Sequence, residues 1–250
     1  GHNHRMKLEL GKIESLRLDN GLGIFSCVNK NAPIVSIQGW VATGSLHEDK
    51  MAGSGISHFL EHMVFKGTKK LSREQIVSSI DNAGGKINAY TSYCSTVFLA
   101  DVSSSFFEPS ADIISDLLMN PIFPEAEFKK EKDVISRERA MRSDNPDCVL
   151  SERFMRTMFT VNPIKHPIIG YDNMILAVTR DLMLSYHDAR YRPENVFFVV
   201  CGDVSSAEVF DFFTKKCDKW ENKTFYSGPI PKEPPQKCLR ESRFSFKDPI

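Results

Sequence analysis

Two histidines and a glutamate sit inside an apolar stretch of this chain, and that combination limits how the stretch can fold. Residues 53–70 read GSGISHFLEHMVFKGTKK, so His58, Glu61 and His62 are interleaved with Phe59, Leu60, Met63, Val64 and Phe65. On a helix, positions i, i+3 and i+4 share a face, which places the three polar groups side by side while the apolar residues drive the helix into a core. Ionisable groups on a buried helix need partners or a metal. Two neutral imidazoles and a carboxylate form a ligand set that zinc favours for hydrolysis, with one coordination position left open for water. If the ligand carboxylate comes from elsewhere in the chain, Glu61 is free to take that water's proton. The competing reading is a helix with two solvated histidines and an ordinary surface glutamate, and the apolar flanks count against it. Gly53, Ser54, Gly55 and Ser57 suit a loop that enters the helix under a serine cap.

A second helix carries the other informative carboxylates. Behind Pro124, at a favoured first-turn position, the sequence EAEFKKEKDVISRERAMRS runs without Gly or Pro to Ser143. Phe128, Glu131, Ile135 and Glu138 share a face by i, i+3, i+7 and i+10 spacing. Two carboxylates on the face that carries Phe and Ile are costly unless something neutralises them. A metal would do so, and so would salt bridges within this Lys/Arg-rich helix, such as Glu138 with Arg142. The residues by themselves leave those two readings level.

The remaining elements mix strands with helices. Residues 13–30 read as a hairpin turning at Asp19-Asn20-Gly21, and 34–42 as a further strand. Residues 72–83 form a helix with a capping box from Ser72 to Gln75, stopped by Gly84-Gly85. Two strands follow over 86–102 with a bend near 92–95. Helical spacing recurs at 106–119, 147–160, 172–188 and 205–219, the last with Phe210, Phe212 and Phe213 as packing residues. Val196–Cys201 is a continuous apolar run of strand length and reads as a central strand. Hairpin-type pairs mixed with helices predict an α+β fold, with one mainly antiparallel mixed sheet and helices packed largely on one face. His47 reads as a solvated loop residue, and His166 and His187 as structural or solvated.

The 250 residues carry equal numbers of acidic and basic side chains, so there is no electrostatic case for a nucleic acid or membrane partner. The longest apolar runs are too short to span a bilayer. The six cysteines show no C-x-x-C pair and read as reduced structural thiols, with Cys27 and Cys201 in apolar strand contexts behaving as small hydrophobes. That slightly favours a soluble, cytoplasmic setting. Residues 1–6 (GHNHRM) read as the remnant of a tag, which leaves a native targeting segment open. Residues 7–225 are expected to form the metal-binding domain. Residues 226–250 are expected to form a Pro-rich linker and the strand-like start of a second domain.

Several blocks of the sequence point the same way: LDNG at 18–21, G-x-x-H-F-L-E-H-M-x-F-K-G-T at 55–68, NAYTS at 88–92, Y-R-P-E-N at 191–195 and GDV at 202–204. Together they resemble the N-terminal, metal-binding half of the pitrilysin family of zinc peptidases, which includes insulysin and the mitochondrial processing peptidase. The resemblance implies His58, His62 and Glu138 as zinc ligands, with Glu131 supporting the site from behind. It implies Glu61 as the base that accepts a proton from water and passes it to the leaving amine. It also implies that Asn88, Ala89, Tyr90 and Thr91 form an edge strand that pairs with the backbone of a peptide or unfolded segment. A second homologous domain, or a partner chain, would close the chamber. A noncatalytic, peptide-binding or structural partner subunit is the alternative within the family, and the presence of His58, Glu61, His62 and Glu138 counts against it. A lyase that shares an H-x-x-E-H takes a downstream Cys as third ligand, and no Cys lies between Cys94 and Cys148.

Overall fold

The computed structural model describes residues 11–223 and 228–246, so the expected tag remnant at 1–6 lies outside the described residues. Alternation along the chain builds the sheet. In the strand Ile34–Val41, Val35, Ile37, Gly39 and Val41 are buried while the residues between them are not, the period-2 pattern of a half-covered strand. Among the described residues six strands form the sheet: β1 (Ile13–Arg17), β2 (Gly23–Val28), β3 (Ile34–Val41), β4 (Lys86–Thr91), β5 (Thr96–Ser103) and β6 (Val196–Gly202). Their order is β1-β2-β6-β3-β5-β4, which leaves β4 at an edge. Every neighbouring pair is antiparallel except β2 with β6, which is parallel.

The helices are α1 (Ile56–Val64), α2 (Arg73–Asn82), α3 (Phe107–Met119), α4 (Glu125–Ser143), α5 (Pro146–Met158), α6 (Asp172–Ala177), α7 (Arg180–Arg190) and α8 (Ser206–Cys217). The core lies between them and one sheet face. Ile24, Ile37, Phe98, Ala100, Phe198 and Val200 point into it from the strands, and Phe198 stacks on Phe213 of α8 with centroids 4.3 Å apart. Gly39 allows α3 to rest directly on β3, because a Cβ there would stand 2.5 Å from Leu118 Cδ1. On the opposite face Trp40 stacks on Phe197 and meets Tyr90 edge-on.

The capping box expected at Ser72 and Gln75 is realised on α2, and Ser205 with Glu208 closes a further one on α8. Three expectations change. Cys27 and Cys201 are opposite one another in β2 and β6, but alternation turns them to the uncovered face, where Cys27 is half-buried and Cys201 exposed; Cys217 is the buried thiol. His47 is not solvated: burial lowers its pKa, and its Nδ1 accepts the Gly44 amide. His166 and His187 are structural, against the Tyr171 hydroxyl and the Leu118 carbonyl respectively. Residues 238–246, expected as the strand-like start of a second domain, pair with no strand among the described residues. The segment before them is held to the domain instead, with Glu233 accepting the amides of Thr160, Val161 and Asn162. Among the described residues no helix is long and apolar enough to cross a membrane.

Phe198→Ala is expected to cost about 3–5 kcal/mol, because it empties a fully buried ring site. Ser72→Ala, which removes only the cap of α2, should cost about 1 kcal/mol. Urea denaturation of both variants checks the contrast.

Candidate metal centre

Helix α1 buries Ile56, Phe59, Leu60, Met63 and Val64 completely, and this fixes the face on which its polar residues emerge. Phe59 stacks on Phe128 of α4 with centroids 4.8 Å apart, and Ile135 is buried in the same core. The α1–α4 contact therefore carries Glu131 and Glu138 to the two histidines. His58 Nε2 lies 3.2 Å from His62 Nε2. Glu138 Oε2 lies 3.8 Å from the first and 3.7 Å from the second.

Protonation decides what this triangle offers. Glu131 Oε1 accepts from His62 Nδ1 at 2.8 Å, and Lys66 Nζ lies 2.5 Å from Glu131 Oε2. Burial works to raise the Glu131 pKa, but the bonds from His62 and Lys66 outweigh it and hold the carboxyl below its ordinary range. An ionised Glu131 only accepts, so the proton of neutral His62 stays on Nδ1 and its Nε2 lone pair faces the triangle. His58 is pushed down to about 3, first by burial and then by His62 and Arg142. It is neutral at any ordinary pH, and its buried Nδ1 has no protein partner. His62 is raised: burial opposes the charged form, while the bond to Glu131 and the nearby carboxylates prevail.

Lone-pair atoms that converge at 3.2–3.8 Å repel one another unless a cation lies between them. Ligands about 2.0–2.1 Å from a tetrahedral zinc stand roughly 3.3 Å apart. His58, His62 and Glu138 could therefore hold a metal ion with little movement, and they are the His/Cys/Asp/Glu group of that kind among the described residues. Glu138 faces the two histidines, with no ion pair to Arg142 of its own helix among the described residues.

Glu61 stands beside this set. Burial raises its pKa, against the Thr91 hydroxyl, which donates to Glu61 Oε2 at 2.6 Å. Thr91 ends β4, so the open sheet edge runs up to the Glu61 carboxylate. Of the four edge-strand residues, Thr91 touches the centre. Ala89 shares Thr91's partly buried side of the strand, and Asn88 and Tyr90 face outward. The Ala89 amide donates to Asn88 Oδ1 at 2.9 Å.

Sequence reasoning did not find Lys66 or Glu48. Lys66 lies four residues after His62 just past the helix end, a spacing that could have flagged it. Glu48 carries no periodic signal, because it comes from a loop and reaches α1 only through the fold.

The sequence pattern described as Insulinase (Peptidase family M16) matches residues 24–172, and that of the Peptidase M16 inactive domain matches 177–248. The division between the two patterns falls inside one folded unit, since β6 lies between β2 and β3. An uncharacterized zinc protease of Bacillus subtilis is 34% identical over 83% of this chain and 49% of its own length. Another from Rickettsia felis is 35% identical over 77% of the chain and 47% of its own length. The crystal structure of a protease from Helicobacter pylori superposes with a TM-score of 0.87 at 31% identity, covering 92% of this chain and 56% of that one. The chain spans about half the length of the curated relatives it matches.

In the metal-free protein, imidazole 15N shifts should show His62 titrating above 6.5 and His58 staying neutral down to about 3. His62, raised in the folded state, contributes stability that is full below its unfolded pKa and is lost as pH rises through its folded one. His58, depressed, withdraws stability as pH falls from 6.5 toward 3. His58→Ala should accordingly flatten the acid limb of Tm against pH.

Proposed function

The chain belongs to the insulinase family of peptidases (family M16), and from that membership and the geometry of its centre we propose that it is the metal-binding half of a zinc-dependent endopeptidase. The observation that carries the reading is the convergence of His58 Nε2, His62 Nε2 and Glu138 Oε2 with the Glu61 carboxylate at their side. The curated relatives named as zinc proteases support the choice of metal. His58, His62 and Glu138 would hold the zinc, which when bound supplies Lewis acidity to a peptide carbonyl and to water.

The chain's own residues do the rest. Glu131 keeps the His62 proton on Nδ1 and the ring turned inward, and Lys66 keeps Glu131 ionised. Glu61 accepts a proton from the attacking water at a carboxylate oxygen and returns it to the departing amine nitrogen. Its raised pKa brings it closer to the operating pH, which suits both transfers. The edge of β4 takes an extended substrate backbone by strand addition, a mode that reads main chain more than side chain and suits peptides or unfolded segments. A substrate carbonyl that arrives at the Ala89 amide takes the place of Asn88 Oδ1. A second homologous half, in the same polypeptide or a partner chain, closes the site over the substrate. The complete set of His58, Glu61, His62 and Glu138 argues against a noncatalytic partner role.

Elemental analysis of the chain supplied with zinc and freed of excess should find about one zinc per chain. That zinc should be lost in His62→Ala and Glu138→Gln and kept in Glu61→Gln. In the assembled protein, Glu61→Gln should lower hydrolysis of an unfolded peptide by about 10²- to 10⁴-fold. A folded parent chain that retains no zinc would sink the proposal.

A further inference from the structure

The start of α1 is built in an unusual way. Its N-cap residue, Gly55, has φ 67° and offers no side chain to the first turn. No side chain can be placed there, because a Cβ would stand 2.2 Å from the Ile169 carbonyl oxygen. Ser54 Oγ accepts the Ile56 amide at 3.3 Å, so the expected serine cap is realised one residue early and covers one donor. The next donor is taken from outside the helix: the Ser57 amide donates to Glu48 Oε1 at 3.0 Å. First-turn amides of a buried helix need such acceptors, and a carboxylate there also meets the positive end of the helix dipole.

Glu48 is itself held from both sides. It is 1% exposed. Arg190 of α7 donates to the carbonyl of His47, one residue before it, and to the carboxylate of Asp49, one residue after. Ser57 Oγ lies 2.8 Å from Tyr186 Oη, and the Arg190 guanidinium covers the Tyr186 ring at 3.8 Å. Burial pushes the Glu48 carboxyl up to about 7, against the pull of the Ser57 amide and hydroxyl and the amides of Gly55 and Gly53. Among the described residues Glu48 forms no ion pair. A buried carboxylate without a cation is a costly way to cap a helix. Such a cost is typical of a group kept for geometry at a functional centre.

We propose that Glu48 is the positioning residue of this centre: it clamps the Ser57 amide, and so sets where His58, one residue on, and Glu61, one turn on, are presented. The inference rests on the metal reading of the site. Glu48 does not touch the reacting atoms. It acts through the helix, and α7, through Arg190 and Tyr186, acts through Glu48.

The test compares the parent chain with Glu48→Gln, with zinc as the probe, by competition against a chromophoric chelator and by thermal melts of the metal-free proteins at pH 8. The Glu48 pKa lies above its unfolded value of 4.5, so its ionisation withdraws stability as pH rises through that interval, and the uncharged amide escapes the cost. Glu48→Gln should melt no lower than the parent at pH 8 while binding zinc about 10- to 100-fold more weakly. A merely structural role would lower the melt and leave affinity alone. A folded Glu48→Gln with parental zinc affinity overturns the clamp. A parent that binds no zinc overturns the metal reading as well, which separates the two failures. If Glu48→Gln does not fold, Glu48→Asp, with the charge drawn back by one methylene, carries the same comparison. Failure of both to fold overturns the proposal, because Glu48 would then serve the whole fold.

Discussion

Everything at the centre depends on one contact, the packing of α1 against α4 through Phe59 and Phe128. Burying the apolar side of α1 leaves His58, Glu61 and His62 one direction in which to emerge. Burying Phe128 and Ile135 does the same for Glu131 and Glu138. The apolar contacts supply the driving force, and the polar atoms are brought within 4 Å of one another as a consequence.

Around that triangle, charge is arranged in layers. Lys66 faces Glu131, Glu131 faces the Nδ1 side of His62, and His62 presents its other nitrogen inward. Each layer bears on the protonation of the next: the bonds from His62 and Lys66 keep Glu131 ionised, and Glu131 in turn holds the His62 proton on Nδ1. The same desolvation that keeps His58 neutral also raises Glu61. One buried environment thereby shifts an imidazole and a carboxyl in opposite directions, because burial disfavours whichever form is charged.

The sheet contributes by position more than by chemistry. β4 is an edge strand, and its last residue, Thr91, bonds to Glu61. An extended chain added to that edge would run toward the Glu61 carboxylate by the geometry of strand pairing alone. The loop before α1 plays the matching part on the other side, where Glu48, held by α7, anchors the helix that bears the histidines.

The amino-acid sequence by itself determined the local elements and the chemical character of the site. Capping boxes at Ser72 and Ser205, the turn at Asn20-Gly21, alternation in β3, and the i, i+3, i+4 grouping of His58, Glu61 and His62 all depend on neighbours a few residues apart, so they can be read along the chain. The spacing of Glu131 and Glu138 showed two carboxylates on a buried face but left metal and salt bridge level, since nothing local distinguishes them. Tertiary structure set Glu138 against two ring nitrogens about 80 residues upstream in the chain, an arrangement that could hold a metal ion. It also turned Cys27 and Cys201 outward, inserted β6 beside β2 in parallel, and brought Lys66 and Glu48 to their partners. These outcomes depend on which faces meet, and a chain records its faces locally but its meetings only through the packing of the whole core.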